Sequence, residues 1–264
     1  MKPLPNAAEQ GLGEVVRQLG RAGFEEALWE FLRRSVAPDD LLVIALRGTA
    51  PPELLFTGAD HPAPFARLES VYLAGAYLLD PFHELHLNRA PAGVYRLMDI
   101  APDAFQRSRY FTEYYRQTTI VDELTFITYP SAEVSLLLSL GRDASSGRPF
   151  GPREVEACQR LAPVVAALAE THWAALAIEP GPRSDVAAQL AQALRAARGL
   201  RLSPRQAEVA LLILQGHSTA SIALRLDVSP QTVKVFRKQL YGRCGISSQA
   251  ELFALLLPLL AGGS

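Results

Sequence analysis

Lysine is scarce in this chain of 264 residues, which contains 3 lysines against 23 arginines. No lysine occurs from residue 3 to residue 233, and Lys234 and Lys238 then follow four residues apart. A phosphoacceptor receiver domain requires an acidic cluster, an acceptor aspartate and an essential lysine, so we exclude that class for the long N-terminal part. The two clustered lysines also set the C-terminal part apart from the rest of the chain.

Cysteine is rarer still, and no apolar run is long. Cys158 and Cys244 are the 2 cysteines, and because both fall in apolar helical patterns we predict free thiols, with no disulfide framework and no CxxC metal site. The longest apolar run, 252–261, includes a proline and is too short to span a bilayer. The N-terminal stretch MKPLPNAAEQ lacks the apolar core of a signal peptide. We therefore expect a cytoplasmic protein with no membrane partner.

Acidic and basic residues nearly balance overall, with a formal net charge of −1, but their distribution is uneven. Residues 200–264 contain seven basic and three acidic side chains, a net charge of +4, and the remaining residues carry a net −5. A small basic region on an acidic body indicates a polyanionic partner for that region.

The pattern up to residue 177 mixes helices and strands without regular βαβ alternation, which favours an α+β domain with an antiparallel sheet. The predicted helices are 7–36, 64–79, 81–88, 103–117 and 152–176. The predicted strands are 39–47, 53–58, 93–98, and a hairpin formed by 122–129 and 133–142. We expect a GAF- or PAS-like fold for this N-terminal domain.

A stretch rich in proline and glycine, IEPGPRS at 178–184, is the best candidate linker. The alanine-rich segment that follows it predicts a helix that serves as a connector or as part of a dimer seam. We therefore divide the chain into a regulatory domain at 1–177, a linker and connector helix at 178–200, and an all-α four-helix domain at 201–264.

The C-terminal domain carries the start and stop signals of successive helices. Ser203, Ser218 and Ser229 are predicted N-caps, and proline follows two of them at the first helical position. Gly216 is the predicted end of the first helix of this domain. Two short helices joined by a tight connection at Asp227 predict a helix-turn-helix, and a fourth helix begins at Ser247 or Ser248.

The third helix of this domain, from Ser229 to about Gly242, has two distinct faces at 100° per residue. Val233, Phe236 and Leu240 share the face predicted to be buried. The opposite face presents two ammonium groups, an amide and an isolated valine, which suits a DNA major groove better than plain solvent. The alternative is an ordinary charged surface helix. The predicted DNA-binding residues are Gln231, Thr232, Lys234, Val235, Arg237, Lys238 and Tyr241.

Residues 202–252 closely resemble the LuxR-type (GerE-like) DNA-binding domain. The matching positions are Leu202, Arg205, Glu208, Val209, Gly216, Ser218, Ile222, Ala223, Leu226, Ser229, Thr232, Val233, Lys234, Gly245, Ile246 and Ser247. The resemblance implies a four-helix domain whose third helix reads double-stranded DNA and whose last helix pairs with a second copy. The sequence departs from the family pattern in two places, at three positions. Ala220 and Ser221 replace the usual Lys-Glu pair, which removes a phosphate contact and a capping carboxylate, and Phe236 replaces the usual histidine.

The N-terminal part resembles, more loosely, the sensor halves of LuxR-type regulators. The fragments that carry this resemblance are Tyr77-Leu-Leu-Asp80-Pro81, FQRSRYFTEYYRQ at 105–117, Asp122-Glu123-Leu124, and Phe150 before the long helix. Acyl-homoserine-lactone receptors share the Asp-Pro step, whose aspartate binds the lactone's amide. They also carry a tryptophan where this chain has Arg67, which argues against a lactone.

Aromatic residues are concentrated in the same part of the chain, and buried tyrosine hydroxyls require polar partners. We predict an apolar ligand pocket between the sheet and the helices at 64–88 and 103–117. Its predicted lining residues are Tyr72, Tyr77, Asp80, Phe105, Tyr110 and Phe126. Asp80 has a simpler interpretation as the N-cap of the helix that begins at Pro81.

Catalytic, cofactor and metal signals are weak. GHSTA at 216–220 follows a helix rather than the strand that a nucleophile elbow needs, and His83 and His86 lack further ligands nearby. We predict a non-enzymatic, ligand-responsive transcriptional regulator without a cofactor, reminiscent of quorum-sensing receptors. Its predicted partners are double-stranded DNA, an unidentified small-molecule effector, a second copy of the chain and RNA polymerase. The alternative is an enzyme or metabolite-binding protein whose C-terminal helices serve protein contacts.

Overall fold

The computed structural model of the chain describes residues 6–176 and 185–261. Its contacts divide these residues into two units. The first contains the described parts of 1–65, 85–100 and 119–181, and the second those of 66–84, 101–118 and 182–264. The predicted linker at 178–184 lies outside the described residues, and the predicted domain boundaries stay predictions.

Two helices, rather than the predicted single helix 7–36, precede the first strand. They are α1 (Asn6–Arg17) and α2 (Phe24–Val36). The chain between them turns through Gly20 and Gly23, whose φ angles are 70° and 104°. Glycine adopts this left-handed backbone without steric cost, so the two glycines end one helix and allow the next to start in a new direction.

A five-stranded antiparallel sheet forms the centre of the first unit, as the α+β prediction requires. Its strands are β1 (Asp40–Arg47), β2 (Glu53–Ala59), β3 (Gly93–Arg96), β4 (Ile120–Thr128) and β5 (Val134–Asp143). Their spatial order is β2-β1-β5-β4-β3. The short helix α3 (Pro81–Leu87), whose first four residues belong to the second unit, precedes β3 in the chain. The short helix α4 (Leu97–Ile100) follows β3, and the long helix α5 (Pro152–His172) follows β5. The more specific likeness to GAF or PAS folds stays a prediction.

Alternate residues of the central strands face the helices α2 and α5, and together they form the core of the first unit. Because side chains alternate along a strand, one face of each strand joins this core. The core includes Leu28 and Phe31 of α2, Val43 of β1, Phe126 of β4, Leu138 of β5 and Val165 of α5. Burying one such side chain stabilises the fold by about 1.5–3 kcal/mol.

The second unit begins with short turns where long helices were predicted at 64–79 and 103–117. The 3₁₀ and π turns of this unit are Leu68–Leu73, Ala76–Leu79, Phe105–Arg107, Tyr110–Tyr114 and Tyr115–Gln117, and the turn Ala63–Phe65 lies at the end of the first stretch of the first unit. The first series is interrupted at Gly75, and the second at Ser108, which is extended with a ψ of 156°. The prediction of two long helices was therefore wrong, although helical turns occupy both segments.

Five helices complete the second unit. They are α6 (Val186–Arg198), α7 (Pro204–Gln215), α8 (Thr219–Leu226), α9 (Pro230–Cys244) and α10 (Gln249–Ala261). The last four are the predicted four-helix domain. Leu190 and Leu194 of α6 are buried, and so are Leu252, Phe253 and Leu256 of α10, which packs against α6 and α7. The resemblance implies that the last helix pairs with a second copy, yet these three side chains of α10 are already covered within the chain, and the pairing stays a prediction.

Candidate nucleic-acid interface and a buried carboxylate site

The α8–α9 pair has the geometry of a helix-turn-helix, and polar side chains cap both helices. Ser218 Oγ accepts a hydrogen bond from the amide of Ser221 at 3.2 Å, and Ser229 Oγ accepts one from the amide of Thr232 at 3.0 Å. Asp227 ends α8 in the left-handed region at φ 51°. Only three residues therefore separate the two helices, as a helix-turn-helix requires.

The two faces of α9 lie largely as the helical period predicts, although Phe236, which was predicted to be buried, is only half-buried. Val233 and Leu240 are buried, with exposed fractions of 1% and 0%. Lys234 and Lys238 are exposed, and Val235 beside them has an exposed fraction of 45%. An isolated valine and two lysines thus share the outer face of the second helix of a helix-turn-helix, which is the helix that enters the major groove in this motif.

The four other predicted contact residues of α9 differ in their surroundings. Gln231 is exposed, and the Thr232 hydroxyl lies 2.8 Å from Ser229 Oγ. The Arg237 guanidinium carbon lies 5.3 Å from the centre of the Tyr241 ring. The Tyr241 hydroxyl is buried and has no hydrogen-bond partner within the described residues. Tyr241 therefore presents its ring to Arg237 rather than its hydroxyl to solvent, which corrects its predicted position on the outer face.

Some basic residues of the helical domain are paired with carboxylates, and others are not. Arg205 lies 2.7 Å from Glu208, and Arg225 contacts Glu84. Neither Lys234 nor Lys238 forms an ion pair with any part of the chain that the structure describes. The positive charge on the outer face of α9 is therefore not neutralised by these carboxylates, and it can attract phosphate.

A buried carboxylate site lies elsewhere in the second unit, around Asp80. The Tyr72 hydroxyl donates to Asp80 Oδ2 at 2.8 Å, and the amide of Phe82 donates to Oδ1 at 2.9 Å. Burial raises the pKa of Asp80 to about 6, against hydrogen bonds from Phe82, Tyr72 and Tyr110 that lower it. Asp80 therefore caps α3, as the simpler interpretation predicted, and also accepts tyrosine hydroxyls.

The structure brings most of the predicted ligand-lining residues together in this unit. Phe105 packs against Tyr110, with ring centres 5.9 Å apart, and Tyr77 meets His83 edge to face at 5.2 Å. Burial raises the pKa of Tyr77 to about 12. Phe126 is the exception, because it points into the core of the first unit among α2 and α5. We therefore leave Phe126 out of the candidate ligand site.

Tyr114 was not predicted as a lining residue, yet it completes the aromatic cluster. Its ring lies 6.0 Å from that of Tyr72 and 5.4 Å from that of Tyr110. The spacing of four residues between Tyr110 and Tyr114 is the sequence signal that could have identified it, because such residues share one side of a helical turn.

Two fragments of the looser resemblance meet in the first unit. Asp122 accepts two hydrogen bonds from Arg96, at 3.0 and 2.7 Å, and its Oδ2 also accepts from the amide of Phe150 at 2.9 Å. This carboxylate therefore joins β3, β4 and the start of α5. We assign Asp122 a structural role.

The described residues give little support for a metal site. No group of three or more His, Cys, Asp or Glu side chains there is arranged to hold a metal ion. His86, considered above as a ligand, lies 2.7 Å from Ser135 Oγ and 2.9 Å from the carbonyl of Gly48. The capped helix-turn-helix with its basic outer face instead defines a protein of the DNA-binding class.

Comparison with known proteins supports this class. Residues 200–256 match the model of the family described as bacterial regulatory proteins, luxR family. A helix-turn-helix-type transcriptional regulator from the exeN 3′ region of Aeromonas salmonicida is 31% identical over 185 residues, which cover 67% of this chain and 93% of the relative. The chain therefore belongs to the luxR family of bacterial transcriptional regulators.

A solved structure is similar to a large part of the chain. The crystal structure of the VqsR LBD domain from Pseudomonas aeruginosa covers 64% of this chain and 96% of its own, with 26% identity and a TM-score of 0.55. Over the residues described for this chain, no helix is both long and apolar enough to cross a membrane.

Proposed function

We propose that this protein is a sequence-specific transcriptional regulator that reads the major groove with α9 under the control of a small-molecule effector. The observation that carries the DNA-reading part is the outer face of α9, where Lys234, Val235 and Lys238 are exposed opposite the buried Val233 and Leu240. A helix presented in this way projects side chains to base edges and phosphates together.

Each group on this face has a chemical role. The lysine ammonium groups suit phosphate oxygens or guanine edges, the Gln231 amide suits adenine, and Val235 suits the methyl group of thymine. Arg237 reaches the DNA from the flank, with the Tyr241 ring behind its guanidinium. The proposed contact residues are Gln231, Thr232, Lys234, Val235, Arg237 and Lys238, and Tyr241 positions Arg237.

The effector binds, in this proposal, beside the carboxylate of Asp80. Tyr72 and Tyr110 already supply hydroxyl groups there, and Tyr77 and Phe105 supply aromatic surface. A small, partly apolar molecule with an amide, amine or hydroxyl group fits this chemistry. The similarity to the VqsR LBD domain supports a sensor in this part of the chain.

The regulator acts as a homodimer in the cytoplasm, and RNA polymerase is its further partner. These points are proposed from the membership of the luxR family of bacterial transcriptional regulators. A two-fold symmetric dimer on DNA would place two copies of α9 in successive major grooves.

The decisive experiment for DNA binding is the salt dependence of affinity. Full-length protein is titrated onto a fluorescent duplex of about 30 base pairs, long enough for two half-sites one turn apart. Counterion release predicts that log Kd rises linearly with log salt, with a slope close to the number of phosphates contacted. Affinity that does not change between low and physiological salt would contradict the proposal.

A pair of matched variants distinguishes a phosphate contact made by the outer face of α9 from a general effect of positive charge on DNA affinity. Lys234→Ala removes one charge from the outer face of α9, and Arg198→Ala removes one from the exposed end of α6. The first variant should lower the salt slope by about one, as expected for the loss of one phosphate contact, and the second should leave it unchanged.

A further inference from the structure

The N-terminus of α8 lacks half of its capping box. In α7, Ser203 and Gln206 cap each other reciprocally, side chain to backbone amide. In α8, Ser218 caps the amide of Ser221 in the same way, but Ser221 is too short to return a bond to the amide of Ser218. Its hydroxyl lies instead 2.8 Å from Nδ1 of His217.

A carboxylate from a distant segment completes this cap. Asp103 Oδ1 accepts a hydrogen bond from the amide of Ser218 at 2.9 Å, although 115 residues separate the two in sequence. Asp103 therefore occupies the place that a glutamate at position 221 would fill. It also puts a negative charge where a helix N-terminus attracts anions.

The backbone next to Asp103 is held against the same turn. The amide of Ala104 donates to the carbonyl of Gly216 at 3.0 Å. Gly216 ends α7 with a φ of 97°, and a Cβ there would lie 2.8 Å from the Cα of Phe105. Only glycine allows so close an approach, so the turn between α7 and α8 is shaped to receive this segment.

The other end of α8 meets a second acid. Arg225, in the last turn of α8, forms an ion pair with Glu84 of the 66–84 segment. Helix α8 could attract a phosphate through its N-terminal amide and through its basic last turn. Carboxylates from outside the helical domain thus bind both of these groups. The first helix of a helix-turn-helix lies across the DNA backbone, where those features would meet phosphate.

The docked segment also comes close to the proposed DNA-reading helix. Arg107, four residues after Asp103, lines a cavity of about 320 Å³ together with Arg237 of α9 and Ser218. The 101–118 segment therefore lies beside one of the proposed contact residues of α9, as well as against the turn before α8.

We propose that Asp103 and Glu84 form an acidic clamp that holds α8 and competes with DNA phosphate for it. In the clamped state, carboxylates satisfy the Ser218 amide and Arg225, and DNA must displace them before α8 can lie against its backbone. An effector that moves either segment would then release α8. This inference rests on the proposed DNA-binding function.

Three variants test the clamp in the full-length protein on the same duplex of about 30 base pairs. Glu84→Gln and Asp103→Asn each remove one acidic partner of α8. Ser221→Glu gives α8 its own capping carboxylate, which competes with Asp103 for the Ser218 amide. All three should lower Kd about fivefold or more, the lower end of common coupling between sites.

The charge changes of the variants distinguish release of the clamp from a general electrostatic effect on DNA affinity. Ser221→Glu adds a negative charge to a DNA-binding domain, which by itself weakens binding, so tighter binding would come from release of the clamp. Glu113→Gln is the matched control, because Glu113 lies in the 101–118 segment but pairs with Arg109 and not with α8. This control should stay within about twofold of the wild type, below the range of a typical coupling.

The clamp is overturned if Glu84→Gln or Ser221→Glu binds DNA no more tightly than Glu113→Gln. Asp103→Asn keeps an oxygen for the Ser218 amide but replaces a charged acceptor with a neutral one, which weakens the cap. The melting temperature of this variant is therefore measured, and Asp103→Asn/Ser221→Glu replaces it if it fails to fold. That double variant must also bind more tightly than Glu113→Gln for the clamp to stand.

Failure of the clamp and failure of the proposed function give different results. If neither the wild type nor any variant binds the duplex at low salt, the proposed function has failed. If the wild type binds and Glu84→Gln binds equally tightly, only the clamp has failed.

Discussion

The Tyr72 hydroxyl lies 2.8 Å from Oδ2 of Asp80, eight residues further along the chain, and both groups are buried. The amide of Phe82 binds the other carboxylate oxygen. One oxygen thus stabilises the start of a helix and the other accepts a tyrosine hydroxyl. A ligand that binds at Asp80 must compete with Tyr72, or use the remaining lone pairs of the carboxylate.

Removal of the Tyr72 hydroxyl should destabilise the protein. Tyr72→Phe leaves a buried carboxylate short of one donor, and we expect a loss of about 1–3 kcal/mol in the free energy of unfolding. Urea denaturation followed by fluorescence measures it. Tyr95→Phe is the control, because the Tyr95 hydroxyl donates to the carbonyl of Pro91 at an exposed position. Equal losses in both variants would show that the buried hydrogen bond to Asp80 stabilises the protein no more than the exposed hydrogen bond to Pro91.

Ligand binding at Asp80 is tested by thermal melting against a panel of metabolites. Asp80→Asn keeps an oxygen for the Phe82 amide but removes the charge. A ligand present at a free concentration of about 100 times its Kd should stabilise the wild type by about 2.7 kcal/mol, which raises the melting temperature. The variants Asp80→Asn and Tyr77→Ala should lose most of that increase. A ligand that stabilises both variants as strongly as the wild type would place the site elsewhere.

Two lysine variants test the proposed DNA-reading face. Lys234→Ala and Lys238→Ala should each weaken specific operator binding by about 1–3 kcal/mol while leaving the fold intact, because each lysine makes one contact to the DNA and neither supports the fold. Fluorescence anisotropy measures binding, and circular dichroism checks folding. Operator affinity equal to that of the wild type in both variants would show that α9 does not dock through this face.

The operator should be two-fold symmetric, with half-site centres about 10 base pairs apart. Each half-site takes one copy of α9, and the symmetry of a dimer is repeated in its DNA. Footprinting on sequences selected from a random library measures the spacing. A single asymmetric half-site occupied by a monomer would contradict the proposed homodimer.

Asp40 predicts how stability depends on pH. Burial, and then the negative charges of Asp143 and Asp39, raise the pKa of Asp40 from 3.8 to about 7, and its Oδ2 has no hydrogen-bond partner within the described residues. The folded state therefore binds a proton more tightly than the unfolded state, so stability falls as pH rises from about 4 to about 7. Asp40→Asn removes this titration.

The melting temperature of Asp40→Asn should accordingly exceed that of the wild type by a margin that grows across this pH window and levels off above about pH 7. Differential scanning fluorimetry at several pH values measures the margin. Asp60→Asn changes the same charge at an exposed position and should show no such trend. A constant or shrinking margin for Asp40→Asn would mean that Asp40 is ionised at little cost in the folded protein.

Local signals in the sequence predicted the helical domain well. Serine caps and the left-handed Gly216 depend on nearby residues, and the alternation of Val233 with Lys234 reports which face of α9 is buried. The sheet was predicted for the same reason, because strand alternation is a local property. The break between α1 and α2 was missed, although Gly20 and Gly23 mark it in the sequence.

Contacts between distant segments could not be predicted in this way. Nothing near Asp103 indicates that it caps α8, and Phe126 has the composition of a pocket residue but faces the core of its own unit. The segments 66–79 and 105–117 have the composition of helices, but their backbone forms irregular turns instead. In these turns Tyr72, Tyr110 and Tyr114 pack against one another. Tertiary contacts of this kind override local preference.

The second unit draws on three separated stretches of the chain, and this affects how the protein is made. Residues 66–84 and 101–118 leave the ribosome long before α7–α10 are synthesised. At a synthesis rate of about 5–20 residues per second, their tyrosines and phenylalanines wait on the order of ten seconds for those partners. The nascent chain therefore exposes an aromatic surface until translation is nearly complete, and it is during this interval that chaperones would be needed most.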